Sequence, residues 1–228
     1  MEKSIFKVGA ILPAAGIGTR FGERKQFKYL GNKPLFLYAL DVFINCNEIT
    51  EIVMVTNKDD IEYVHKEIDS FNTKKSIKVV SGGARRQDSV KNGCSVLSKS
   101  IDLVTIHDIA RPFVTNDLIL STIFGCNEND GCIAAVSSHD TVKEVNNFNI
   151  VRTIDRKKIW LAQTPQTFKK KILLESISNI DYTDEASMVE AYGGTISVIE
   201  GSTMNFKITT TDDWKFCLLY TSPSPRDS

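Results

Sequence analysis

The residues best placed to do chemistry stand near the start of the chain. The stretch Pro13-Ala14-Ala15-Gly16-Ile17-Gly18-Thr19-Arg20 is a loop of small residues ending in a cation, and Lys25 follows. With no bulky side chains in the way, successive backbone N–H groups of such a loop can converge on an anion. Arg20 and Lys25 add fixed positive charge, so the stretch suggests a cradle for a polyphosphate. Two commoner phosphate loops do not fit. The dinucleotide fingerprint needs Gly-x-Gly-x-x-Gly, and Gly22 falls one position late. A P-loop needs Lys directly after a glycine, and no Lys follows Gly18 or Gly22. The plain alternative is an ordinary strand-to-helix turn, against which the two cations count.

Two further loops carry polar groups: Ser81-Gly82-Gly83-Ala84-Arg85-Arg86-Gln87-Asp88-Ser89 and His107-Asp108-Ile109-Ala110-Arg111-Pro112. Each follows a short apolar run. Val8–Leu12, Glu51–Thr56, Ile77–Val80, Leu103–Ile106 and Cys132–Val136 read as strands, the first buried on both faces and stopped by Pro13. Between them, helices are expected to open at Pro34, to be capped by Asp59 or Asp60 and run to Ser70, to cover Asp88–Leu97, and to be capped by Thr115 or Asn116. This alternation predicts an α/β fold, an open and mainly parallel twisted sheet flanked by helices. In such sheets ligands bind beyond the carboxyl ends of the strands, where all three loops fall.

After Val136 the pattern changes. Val142–Val145 and Ile150–Thr153 flank Asn146–Asn149 as a hairpin with few large apolar residues. It reads as a β-arm, about residues 137–157, projecting from the core against a partner subunit. Helices are expected around Lys169–Ser178 and from Asp184 to Tyr192, the latter closed by Gly193-Gly194. Thr195–Glu200 is a late strand and Asn205–Ile208 a short extended piece. Residues 1–219 are expected to form a single domain. The segment 220–228, with two prolines and several hydroxyl residues, reads as a disordered or non-native tail.

The 228 residues carry 28 basic and 28 acidic side chains, so no nucleic acid or anionic membrane is indicated as a general partner. No apolar run approaches a membrane span. The five cysteines lack Cys-x-x-Cys spacing, and the three histidines lack zinc spacing. Buried free thiols in a reducing cytoplasm are expected. His107 is read as a packed histidine without chemistry, Arg85 as a solvated neighbour of Arg86, and Asp140 as a support for the base of the arm. Asp184-Glu185 is read mainly as a helix first turn complementing the dipole.

Taken together in order, several motifs resemble the 2-C-methyl-D-erythritol 4-phosphate cytidylyltransferase family. They are Pro13-Ala14-Ala15-Gly16-x-Gly-x-Arg20, Lys25-Gln26-Phe27, Gly82-Gly83-x-x-Arg86-x-x-Ser89-Val90, His107-Asp108-x-Ala110-Arg111-Pro112 and Asp140-Thr141-x-Lys143. Asp155-Arg156, Thr164-Pro165-Gln166, Thr183-Asp184-Glu185-Ala186-Ser187 and Gly201-x-x-x-Asn205-Phe206-Lys207 continue the register. The resemblance covers about Val8 to Asp213. It implies a Rossmann-like fold of the nucleotide-diphospho-sugar transferase type and a cytoplasmic homodimer joined through the β-arm. The implied reaction is attack of the methylerythritol phosphate on the α-phosphorus of CTP, with Mg²⁺ or another divalent cation and loss of pyrophosphate.

By the same resemblance, Arg20, Lys25, Arg156 and Lys207 are catalytic. Pro13, Ala14, Ala15, Gly16, Gly18, Gly83 and Ser89 hold the nucleotide. Asp108, Arg111, Thr141 and Arg156 bind the acceptor, Thr141 and Arg156 from the partner's arm, and Asp108 also lies near the metal. Four departures stand out: Arg24 where the family usually has proline, Ile109 for a small alanine, Ser137-Ser138 for a proline-containing entry to the arm, and Ala84 at an often acidic position. They predict a looser lysine loop and altered affinity. The competing readings are a ribitol 5-phosphate cytidylyltransferase of the same fold, a nucleotide-dependent oxidoreductase and a non-catalytic nucleotide-binding module. Asp155-Arg156 with Trp160 favours the methylerythritol enzyme over the first.

Overall fold

The computed structural model describes residues 6–16, 21–71 and 73–221. At its centre is β1 (Val8–Pro13), in which Val8 to Leu12 are fully buried. It pairs in parallel with β4 (Ile49–Thr56) on one side and β6 (Leu103–Ile106) on the other. Beyond β4 lies β5 (Ser76–Ser81), and beyond β6 come β10 (Trp160–Lys169), β7 (Gly131–Ser137) and β11 (Ile196–Glu200). The seven-stranded sheet has the order β11-β7-β10-β6-β1-β4-β5, and β10 alone runs antiparallel to its neighbours.

Helices cover both faces, as parallel strands require. On one side α1 (Phe36–Asn45), α2 (Ile61–Ile68) and α4 (Asn116–Gly125) bury Phe36, Leu40, Val64 and Ile119 against the sheet. On the other, α3 (Arg86–Val96), α5 (Lys170–Ser176) and α6 (Glu185–Tyr192) bury Val90, Leu173 and Val189. A third cluster joins Phe21, Leu30 and Leu35 to Trp214 and Cys217 of α7 (Thr211–Thr221). The α/β architecture is thus the one expected, and all five cysteines are buried free thiols.

Local expectations fared unevenly. Pro34 does not open a helix. It pairs with Tyr29 in a small hairpin of β2 (Tyr29–Leu30) and β3 (Lys33–Pro34), turned at Gly31 with φ +64°, and α1 starts two residues later. Asp60 stands at the start of α2 without capping it, because its carboxylate binds Arg24 and Asn57 instead. Thr115 caps α4 by accepting from the Leu118 N–H, and Gly193 closes α6 at φ +97°.

Asn205–Ile208, expected as a short extended piece, lies outside the sheet and is tied by the Asn205 N–H to the Ser202 carbonyl and the Ile208 N–H to the Ala110 carbonyl. The last helix reaches Thr221, two residues past the proposed domain limit, and 222–228 lie outside the described residues. β10 itself went unforeseen. A proline argues against a central strand, but here the ladder to β7 skips from Ala162 to Gln166, so Pro165 sits in the irregularity and forfeits no ladder bond.

The arm is a separate two-stranded sheet of β8 (Val142–Asn146) and β9 (Asn149–Ile154). Its two-residue turn, Asn147-Phe148, has positive φ at both positions, matching the twist of a tight hairpin. Phe148 is fully exposed at the tip, and Val145, Ile150 and Val151 are also exposed.

Candidate active site

A cleft of about 350 Å³ opens beyond the carboxyl ends of β1, β5 and β6. It brings together Pro13, Ala14, Ala15, Gly16, Lys25, Gly83, Ser89, Asp108 and Lys207 from the residues singled out in the sequence. Gly18 and Arg20 lie outside the described residues. The first loop is fixed from below. The Ala14 N–H donates to the Val55 carbonyl, and the buried Gln26 amide donates to the carbonyls of Ala14 and Gly16 at 3.0 and 3.1 Å. Gln26 thus holds the loop through its carbonyls.

The second loop approaches so closely that side chains are excluded. A Cβ at Gly82 would stand 2.7 Å from Ala15 Cβ, and one at Gly83 would stand 2.4 Å from Asp88 Cβ. The Gly83 N–H donates to Ser89 Oγ at 3.1 Å. Arg85 is more than a solvated neighbour of Arg86. Its guanidinium grips Asp88 at 2.7 Å and donates to the Asn179 carbonyl, tying the start of α3 to the loop before α6. Arg24 is also held: its Nη1 lies 2.5 Å from Asp60 Oδ1, so an ion pair restrains the lysine loop where a proline was expected.

A second pocket, about 230 Å³, adjoins the first and is lined by Arg111, Gln163, Thr164, Gln166, Thr183 and Asp184. Arg86, Asp108 and Lys207 line both pockets and therefore mark their junction. Asp108 receives Lys207 Nζ on Oδ2 at 2.7 Å and Arg86 Nη2 on Oδ1 at 3.0 Å. Burial alone would raise the Asp108 carboxyl, but Arg86 and then Lys207 outweigh it and hold it well below the carboxylate range. Burial likewise works against the Arg86 charge, yet Asp108 and Glu185 outweigh it and raise that group's hold on its proton.

Glu185 is the largest revision. It does not serve mainly as a dipole-complementing first turn: its side chain is 2 % exposed and pairs with Arg86 Nη1. The capping belongs to Asp184, whose Oδ1 accepts from the Ser187 N–H at 3.0 Å while Oδ2 accepts from Gln166 Nε2 at 2.8 Å.

His107 is the packed histidine expected. Its Nε2 faces the Arg111 carbonyl at 3.0 Å and so carries the proton, while Nδ1 accepts from Thr164 Oγ1 at 3.1 Å. Thr164 Oγ1 in turn accepts from the Asp108 N–H at 3.0 Å. This relay needs a neutral ring, and burial lowers the imidazole pKa to about 4. Arg111 donates to the Asn205 carbonyl at 2.8 Å. Thr141 and Arg156 line neither pocket. Both are exposed on or beside the arm, where Arg156 Nη1 donates to the His139 carbonyl.

Gln26, Arg86 and Thr164 were present in the motifs but had no role from sequence, and Glu185 had only that of a helix first turn. The signal that could have found Glu185 is its place directly after a capping aspartate, where a second acidic residue is not needed for the cap.

The chain is similar to known proteins along most of its length. The family model described as 2-C-methyl-D-erythritol 4-phosphate cytidylyltransferase matches residues 8–221. A protein of that name from Alkaliphilus oremlandii is 37% identical over 220 residues, covering 92% of this chain and 93% of that protein. Another from Syntrophus aciditrophicus is 40% identical over 216 residues, 91% of this chain and 92% of that protein. The crystal structure of 4-diphosphocytidyl-2C-methyl-D-erythritol synthase from Anaerococcus prevotii superposes with a TM-score of 0.84 at 30% identity, covering 93% of this chain and 95% of that one. With the loops, cleft and motifs all in that register, the chain belongs to the 2-C-methyl-D-erythritol 4-phosphate cytidylyltransferase family.

Proposed function

We propose that the protein transfers CMP from CTP to 2-C-methyl-D-erythritol 4-phosphate, releasing pyrophosphate. The observation that carries this is the junction: two adjoining pockets share Arg86, Asp108 and Lys207, so two phosphorylated ligands meet across a fixed set of charges. An acceptor phosphate oxygen forms a bond to the α-phosphorus as the bond to the departing pyrophosphate breaks. No protein nucleophile is required. The protein supplies position and positive charge where negative charge builds.

In this reading the amides of the Ala14–Gly18 loop beyond Ala14, whose own N–H is committed to the Val55 carbonyl, cradle the triphosphate, and Pro13 ends the strand that presents them. Ala14, Ala15, Gly83 and Ser89 surround cytosine in a space too small for a purine. Arg20, Lys25 and Lys207 stabilise the developing charge. Arg111 and Asp108 orient the acceptor, with Thr141 and Arg156 contributed by the arm of a second copy in a homodimer. Arg111 Nε and Gln166 Oε1, both buried without a hydrogen bond among the described residues, suit an acceptor bearing phosphate and hydroxyls.

No group of three metal-ligating side chains occurs among the described residues. Among the described residues Asp108 is the one carboxylate lining the larger cleft, and both its oxygens already meet cations. A single carboxylate fits Mg²⁺ carried mainly by substrate phosphates, the usual habit of that ion. When bound, it would neutralise phosphate charge. Among the described residues no helix is long and apolar enough to cross a membrane, which is compatible with work in the cytoplasm on water-soluble substrates.

The test is pyrophosphate release with Mg²⁺, CTP and either methylerythritol phosphate or ribitol 5-phosphate, and with ATP replacing CTP. Turnover is expected with CTP and methylerythritol phosphate. Faster turnover with ribitol 5-phosphate, or equal turnover with ATP, would overturn the assignment.

A further inference from the structure

We infer that Glu185 is a positioning residue: it fixes the Arg86 guanidinium at the junction of the two pockets and keeps it off the nucleotide. The inference rests on the proposed transfer reaction and adds a residue to it. Three observations lead there.

Arg86 is held from two sides at once. One side is Asp108, reached by Nε at 3.3 Å and Nη2 at 3.0 Å; the other is Glu185, reached by Nη1. Each of the three guanidinium nitrogens therefore has a carboxylate partner inside the chain, and the plane of the group is set. Glu185 is itself anchored, because α6 begins at the Asp184 cap and Asp184 is bonded to Gln166 of β10. Finally, Arg86 opens α3 directly beside the Gly83 loop, within reach of the cleft that it lines.

The chemical consequence follows from what each charge would do if released. Burial pushes the Glu185 carboxyl up, so it relies on Arg86 to stay ionised, and Arg86 relies on it for its outer nitrogen. An arginine freed from Glu185 has a mobile cation at the lip of a polyphosphate cleft. It would pair with the ground-state triphosphate, which tightens nucleotide binding without helping the transition state. It would also loosen Asp108 and, through it, Lys207, spoiling the alignment on which in-line transfer depends.

The test is Glu185→Gln, which keeps the volume and an acceptor oxygen but removes the charge. Pyrophosphate release gives kcat, calorimetry gives the CTP Kd, and a thermal melt reports folding, all beside wild type. The expected result is a fall in kcat of about 10- to 100-fold, with a CTP Kd unchanged or several-fold tighter. A lowered Tm with wild-type kcat and Kd would make Glu185 a structural brace only and overturn the inference. Loss of CTP binding together with kcat would also overturn it, since the pair would then be holding the nucleotide pocket. If the glutamine variant fails to fold, Glu185→Asp takes its place with the same readouts, keeping the charge but drawing it back by one methylene. Wild-type enzyme that releases no pyrophosphate from CTP and methylerythritol phosphate would sink the functional reading itself. Wild-type turnover with an unaltered Glu185→Gln kcat would sink only the positioning role.

Discussion

The cleft and the arm are opposite kinds of surface. In the cleft, charge is met by charge within one chain: Lys207 and Arg86 on Asp108, Glu185 on Arg86, Asp60 on Arg24. Its loops are braced by Gln26, Thr164 and His107 from neighbouring elements. On the arm, by contrast, Phe148, Ile150 and Val151 are exposed, and its two strands form a sheet of their own. An isolated two-stranded hairpin is marginal in water and needs something to lie against. The cleft is therefore preorganised by its own chain, whereas the arm leaves its apolar residues exposed. In the proposed homodimer, a site assembled from both would join a half braced by its own chain to a half supplied by the partner's arm.

The largest expected effect is on the braced half. Lys25→Ala should lower kcat by roughly 100-fold or more while changing the CTP Kd far less, because in the proposed mechanism the lysine acts where charge develops. A raised KM with near-normal kcat would instead assign it to ground-state binding. Such a result would break the picture of a cleft built for the transition state.

The comparison is sharpened by mixing halves. Lys25→Ala and Arg156→Ala homodimers should each be inactive, but after subunit exchange about half the dimers are mixed and carry one intact site. Activity should then recover to roughly a quarter of wild type on isologous symmetry. If mass measurement confirms exchange and activity stays at the single-mutant level, Arg156 does not serve the partner's site.

A smaller effect concerns the bracing of the cleft. His107 has its pKa lowered to about 4 in the folded chain against an unfolded value near 6.5. The unfolded chain therefore binds the extra proton first as pH falls. The stabilisation from a neutral His107 is complete above the unfolded pKa and is lost progressively as pH drops towards about 4. The loss is on the order of 3 kcal/mol. Denaturant titrations across this window should show it, and the imidazole C–H resonance of His107 should stay near its neutral position down to about pH 5 and reach its midpoint only at about 4. A ring that titrates near 6.5 would remove the argument for the His107–Thr164–Asp108 relay.

The smallest effect is expected at the chain end. Deleting residues 222–228 should leave kcat and Tm nearly unchanged. The inner face of α7 is already anchored by Trp214, which meets Phe21 edge-on at 5.9 Å, and by buried Cys217. A large fall in Tm would show that the segment packs after all.

Much of this protein was legible in its sequence because the relevant signals are local. β1, β4, β5 and β6 announce themselves as short apolar runs, and the small-residue loops that follow them announce sites at strand ends. The Asp184 cap and the Gly193 stop are set by backbone groups a few residues away. The hairpin turn of the arm is likewise a two-residue matter.

What only the tertiary structure decided was pairing between distant segments. Glu185 and Lys207 each reach a partner 99 positions away, and no periodicity or spacing announces such a meeting. Pro165 hid β10, because a proline in an apolar run argues against a central strand until the ladder is seen to skip it. Arg24 looked like a loosened loop until folding brought Asp60 beside it. Local structure depends on neighbours along the chain, so residue types and their spacing determine it. The charge network at the junction depends on which surfaces the sheet order brings together, and that is settled only when strands from both halves of the chain lie side by side.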